Sequence, residues 1–151
     1  MGPIFIVLGL TGAGKSVQAG RLAARLGGVH LSSGELLRHD PRLRRQLAEG
    51  ELVDSNLVDQ VVAKAVADVP RDQAVIMDGF PREMSEVRWL ESKLESWDRP
   101  IGRVVLLQID EQTASQRLAG RGREDDTPEA LREKYAEYHA VTQRVVDYYR
   151  Q

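Results

Sequence analysis

The chain predicts an α/β fold built on a parallel sheet. Three observations lead there: short β-branched runs alternate with longer amphipathic ones, the first run is apolar throughout, and a glycine-rich turn joins it to the first helical pattern. Ile4-Phe5-Ile6-Val7-Leu8 reads as a strand buried on both faces. Lys15 to Leu26 reads as a helix with Val17, Leu22 and Leu26 near helical spacing, stopped by Gly27-Gly28. Val29-His30-Leu31 is a short second strand. Ser55 to Val69 follows as a helix, with Ser55 as its cap and Leu57, Val58, Val61, Val62 and Val66 turned inward. Ala74 to Met77 is the third strand and Val104 to Ile109 the fourth, with helices from Glu83 to Trp97 and from Glu111 to Gly120. The last helix opens on Thr127 as cap with Pro128 in the first position. It carries Leu131, Tyr135, Tyr138, Val145 and Tyr149 along one stripe. In such an alternation the strand connections are right-handed.

Composition narrows the function classes. The 151 residues fit one domain, and 42% hydrophobic residues suffice for a core without staples. The absence of cysteine excludes disulfides, thiolate metal sites and a cysteine nucleophile. A net charge of -2 argues against coating nucleic acid, which calls for a basic excess. Ile4 to Leu8 is too short to span a membrane or form a signal core, and Ile6 stands where myristoylation wants Ser or Thr. The expectation is a cytoplasmic protein with small-molecule partners, without nucleic acid or membrane.

Gly9-Leu10-Thr11-Gly12-Ala13-Gly14-Lys15-Ser16 satisfies G-x-x-x-x-G-K-[ST] between the first strand and the first helix. Gly9, Gly12 and Gly14 let the backbone wrap so that the amides of the loop, through Ala13 and on to Val17, face phosphate oxygens at a positive helix end. Lys15 is the mobile cation for the β/γ-phosphates, and Ser16 offers a hydroxyl to Mg2+. Nucleotide binding follows from this loop; the phosphate acceptor does not.

The acceptor class comes from two further segments. Leu31-Ser32-Ser33-Gly34-Glu35-Leu36-Leu37-Arg38 follows the second strand, and Asp78-Gly79-Phe80-Pro81-Arg82 follows the third. With the phosphate loop, they resemble the adenylate kinase family of nucleoside monophosphate kinases, whose patterns there read close to L-S-T-G-D-L-L-R and D-G-F-P-R. The resemblance implies a P-loop NTPase three-layer sandwich with strand order 2-3-1-4. It also implies ATP as donor, Mg2+ as cofactor, and a nucleoside monophosphate, AMP first, as acceptor. GMP or UMP/CMP stand as alternative acceptors, and a nucleotide-binding module without catalysis as the reading from another class. Arg38 and Arg82 would hold the acceptor phosphate, Ser33 and Gly79 would lie beside it, and Asp78 would orient the Mg2+ waters. Phe80 and Pro81 shape the turn. Gly50-Glu51-Leu52-Val53 resembles the segment beside the acceptor base and ribose, with core packing the alternative for Leu52 and Val53.

Arg117, Arg121 and Arg123 resemble the arginines that converge on the transferring phosphoryl group, with Asp125 and Asp126 holding them. Arg117 and Arg121 stand four apart, as on one helical face. The acceptor-binding insertion spans about 32–69, and the lid is reduced to about 120–127, both within a single domain of 1–151. The chain also departs from the family. Eleven residues separate Arg38 from Gly50, fewer than usual. The lid is a tight turn at Gly122, Lys134 replaces an arginine, and Glu86 stands where a glutamine reads the acceptor adenine. The chain stops at Gln151, where the family continues into a fifth strand. The fourth strand is then an apolar edge, which predicts self-association through it or cover by the C-terminal helix.

Overall fold

A computed structural model describes residues 1–48, 53–123 and 126–151; Gly50, Glu51, Leu52 and Asp125 lie outside the described residues. The strands are β1 (Ile4–Gly9), β2 (Val29–Ser32), β3 (Val75–Asp78) and β4 (Ile101–Leu107). They form one parallel four-stranded sheet in the order β2-β3-β1-β4, as the resemblance implied. Ile6 lies opposite Met77 on one side and Val104 on the other. All strands run the same way, so Gly9, Ser32, Asp78 and Leu107 end along one rim, where open α/β sheets bind ligands.

The helices are α1 (Lys15–Leu26), α2 (Ser33–His39), α3 (Pro41–Ala48), α4 (Ser55–Ala67), α5 (Met84–Trp97), α6 (Glu111–Ala119), α7 (Pro128–Glu137) and α8 (Gln143–Tyr149). A π-helical turn, Tyr138–Thr142, joins the last two. No helix among the described residues is long and apolar enough to cross a membrane.

One face of the sheet carries the larger core, where Ile4, Ile6, Leu8, Val75 and Met77 meet α4, α5 and α8. The other face packs Val7 and Ile76 on Ala19 and Ala23 of α1. Here the expected inward stripe of α1 needs correction: Val17 is 58% exposed and Leu26 47%. The helix instead turns its alanines inward, and their small side chains let it sit close on the sheet.

Four further expectations are corrected. The cap of α4 is Asp54, whose carboxylate accepts from the Asn56 amide, and Ser55 is the first helical residue. β4 starts at Ile101, three residues before the expected start, because its amides pair with β1 from Ile4 onward. The long last helix is interrupted by the π turn, whose extra residue keeps both Tyr135 and Val145 buried. Arg121 lies beyond the end of α6 and so shares no helical face with Arg117.

α5 ends on Asp98 in a left-handed conformation (φ 52°), and the next residue turns inward. Arg99 is 3% exposed and donates to the carbonyls of Gly2, Val69, Pro70 and Gln73 at 2.6–3.0 Å. It ties the start of β1 to the turn before β3.

Candidate active site

The phosphate loop is built by glycine. Gly12 (φ 90°) and Gly14 (φ 92°) occupy the left-handed region, so the chain leaves β1 and enters α1 within a few residues. α1 has no side-chain cap, and its first amides remain available to an anion. A methyl at Gly12 would stand 2.8 Å from the Ala114 carbonyl oxygen, so α6 braces the loop from behind. Lys15 Nζ donates to the carbonyls of Gly9 (2.9 Å) and Leu10 (3.1 Å), lying back across the loop.

Lys15 is a strained cation. Burial, then the positive charges of Arg82 and Arg121 working against Asp78, bring its pKa down to about 8. Basic residues from two other segments therefore stand near enough to Lys15 to act on its charge. Arg117 belongs to the same group, its Nη1 3.5 Å from the Ala13 carbonyl. Arg121 is held by Asp126 through two bonds, Nε to Oδ2 at 2.7 Å and Nη2 to Oδ1 at 2.5 Å. Lys134 Nζ lies 4.0 Å from the same carboxylate. The Arg123 side chain stands exposed, and its carbonyl accepts from the Asp126 amide at 3.1 Å.

Across the cleft, β2 and β3 supply the second half. The Ser33 hydroxyl donates to the Gly79 carbonyl at 2.8 Å, and Arg82 Nε donates to the same oxygen at 2.7 Å. A Cβ on Gly79 (φ 78°) would meet Ser33 Oγ at 2.6 Å and Arg82 Nη2 at 3.3 Å, so only glycine admits both neighbours. Arg38 folds its guanidinium over Gly34, 3.2 Å from where a Cβ would sit. Both arginines are exposed, with no carboxylate paired to them among the described residues. Phe80 is buried edge-on against Trp89, consistent with shaping the turn. Val53 packs against the main core, the alternative that sequence left open. Glu86 is buried at the start of α5 and accepts the Arg82 amide at 2.6 Å.

Asp78 links the halves. It is 4% exposed at the end of β3, where Ser16 Oγ donates to its Oδ2 at 3.1 Å. A hydroxyl and a carboxylate side by side are the hard oxygen donors that suit Mg2+, so the residues fit that ion. His30 also pairs with Asp78 through Nε2, and the bond raises the imidazole pKa. This contact was missed at the sequence level. Its only signal is a polar residue in a short apolar strand beside the one that ends in Asp78.

The comparisons agree with this geometry. The family model described as adenylate kinase matches residues 7–151. An adenylate kinase of Prochlorococcus marinus (strain MIT 9211) is 36% identical over 152 residues, covering 95% of this chain and 81% of that protein. The adenylate kinase of Synechococcus sp. (strain CC9311) is 36% identical over 154 residues, covering 97% and 84%. That of Mycolicibacterium vanbaalenii is 32% identical over 152 residues, covering 95% and 84%. With the loop, the D-G-F-P-R turn and the sheet order in place, the chain belongs to the adenylate kinase family, the nucleoside monophosphate kinases.

Proposed function

We propose that this chain moves the γ-phosphoryl group of ATP to AMP, forming two ADP. The carrying observation is that Arg82, from the turn after β3, and Arg121, from beyond α6, both lie near enough to Lys15 of the phosphate loop for their charges to act on it. A site that only held ATP has no use for cations on the acceptor side. Phosphoryl transfer has, because two polyanions must be neutralised and aligned before the acceptor oxygen attacks and the β–γ bridging bond breaks.

In this reading Gly9, Gly12, Ala13, Gly14, Lys15, Ser16 and Val17 hold the donor phosphates through the loop, the helix end and the lysine. Ser33, Arg38, Gly79 and Arg82 hold the acceptor phosphate. Arg117, Arg121 and Arg123 close on the transferring group, with Lys134 as a further cation behind Asp126. Ser16 and Asp78 would hold Mg2+, Asp78 through water, and the bound ion neutralises developing charge on the phosphates. Residues 32–69 form the acceptor-binding insertion, and 120–127 a reduced lid, within one catalytic domain. The cysteine-free, near-neutral composition supports reading the activity as cytoplasmic.

A coupled assay with ATP and each nucleoside monophosphate tests this. The expected result is turnover with AMP. ATP binding without turnover on any monophosphate would leave only the nucleotide-binding module.

Copies of the 151-residue chain are also proposed to pair through β4. That strand is an edge among the described residues, and Val105 is 36% exposed. α8 packs on the sheet face and against α5, with Tyr148 donating to Glu91 at 2.8 Å. Light scattering at several concentrations reads this out.

A further inference from the structure

Asp78 has two carboxylate oxygens, and the structure engages one of them. Ser16 Oγ and His30 Nε2 both donate to Oδ2, while Oδ1 accepts no hydrogen bond from any described residue. A carboxylate only accepts, so the hydrogen in the second contact belongs to the imidazole. The two donors come from different layers of the fold, Ser16 from the first turn of α1 and His30 from β2.

The register explains how the imidazole arrives there. β2 pairs His30 with Ile76 and Ser32 with Asp78, so His30 lies two places back on the same face of the sheet as Asp78. Its ring reaches diagonally along that face, against α1. The helix leaves room at Gly20, where a Cβ would stand 3.9 Å from the imidazole Nδ1. The His30 side chain is 22% exposed, so the bond is largely shielded from water.

Resting on the reading that Ser16 and Asp78 hold Mg2+, we propose that His30 is a positioning residue for phosphoryl transfer. By holding Oδ2 it fixes the plane of the Asp78 carboxylate and leaves Oδ1 as the oxygen that serves water on the ion. The torsion between Cβ and the carboxylate of an aspartate is broad and has no sharp minimum of its own. A single hydroxyl on Oδ2 lets the group turn about that contact. A second donor, arriving from another element, removes the freedom. Ser16 is shared between the ion and Asp78, whereas His30 acts through Asp78 alone. The strands do not need this bond to stay together, because their backbones already pair from Val29 to Ser32.

Three substitutions test the role. His30→Gln carries an amide N–H about as far out as the imidazole Nε2. His30→Asn carries the same amide but stops near the position of Nδ1, and His30→Leu has no donor. Calorimetry gives the dissociation constant of ATP in EDTA and in excess Mg2+, and the ratio of the two isolates the ion from the phosphate loop. In His30→Asn and His30→Leu the Mg2+ gain falls towards one, while ATP affinity in EDTA stays within about twofold of native. Their kcat falls about tenfold or more with little change in KM for AMP, the scale expected when a partner of a metal-holding group is removed. His30→Gln keeps both the gain and kcat near native. Should the leucine variant fail to fold, the pair of amides carries the same comparison. Equal losses of ATP affinity with and without Mg2+ would make His30 a strut of the fold and overturn this inference alone, as would an asparagine variant that keeps the native gain. A native protein whose ATP affinity ignores Mg2+ overturns the placement of the ion on Ser16 and Asp78, and this inference with it.

Discussion

Asp126 holds Arg121 along one edge of the guanidinium with both carboxylate oxygens, at 2.7 and 2.5 Å, across the turn that contains Gly122. The carboxylate is only 5% exposed, so the pair is shielded from solvent on one side. Asp126→Asn keeps the shape and removes the charge. The expected loss is about 1–2 kcal/mol of stability, with kcat down roughly tenfold as Arg121 wanders from the transfer point. A thermal melt and the coupled assay check the two parts separately.

Lys15, with its pKa near 8, gives ATP binding a pH dependence whose sign is fixed. Below that value the lysine is charged and affinity is flat. Above it the charge is lost in the free protein, and affinity falls about tenfold per pH unit until the higher pKa that Lys15 takes beside bound phosphate is passed. Lys15→Met binds weakly and without this break. Arg82→Ala removes a positive neighbour, so the break moves up while kcat falls by about 10²–10³. Titration calorimetry across pH reads the first effect and the assay the second.

Gly79→Ala tests the crowded turn. The new methyl would meet Ser33 Oγ at 2.6 Å at a φ of 78°, which alanine adopts only under strain. Destabilisation of about 1–3 kcal/mol is expected, together with a higher KM for AMP and a smaller change in KM for ATP. Equal changes in both KM values would place the damage in the fold rather than the acceptor side.

Arg99→Met takes the guanidinium from four carbonyl oxygens at the base of the sheet, of which Pro70 keeps the Gln73 amide as a donor. A loss of at least about 3 kcal/mol follows, with activity per folded molecule unchanged, since the site lies at the opposite rim. Denaturant unfolding measures it.

The strand order was legible through the resemblance, because glycine, lysine and arginine stand in the phosphate loop and the D-G-F-P-R turn at fixed spacings that few backbones need. Thr127-Pro128 likewise marked the true start of α7, with the threonine oxygen accepting from the Ala130 amide. Arg99 was not legible. Nothing local distinguishes a surface arginine from one that threads back under Gly2, a partner 97 positions away. The π turn was hidden for a related reason: Leu131, Tyr135 and Tyr138 keep the ordinary helical spacing up to the inserted residue. α1 misled because hydrophobicity pointed to Val17, whereas the packing distance demanded Ala19 and Ala23.

The seat of α6 on Gly12 gives the cleft a pivot. Ala114 and Leu118 press on the loop where a side chain would otherwise stand, and Arg117 and Arg121 extend from the same end of that rod. In the proposed transfer, any shift of those arginines toward the donor phosphates would turn α6 about its contact with the loop backbone. A methyl at residue 12 would jack the rod away from its bearing and carry the arm that bears Arg117 with it.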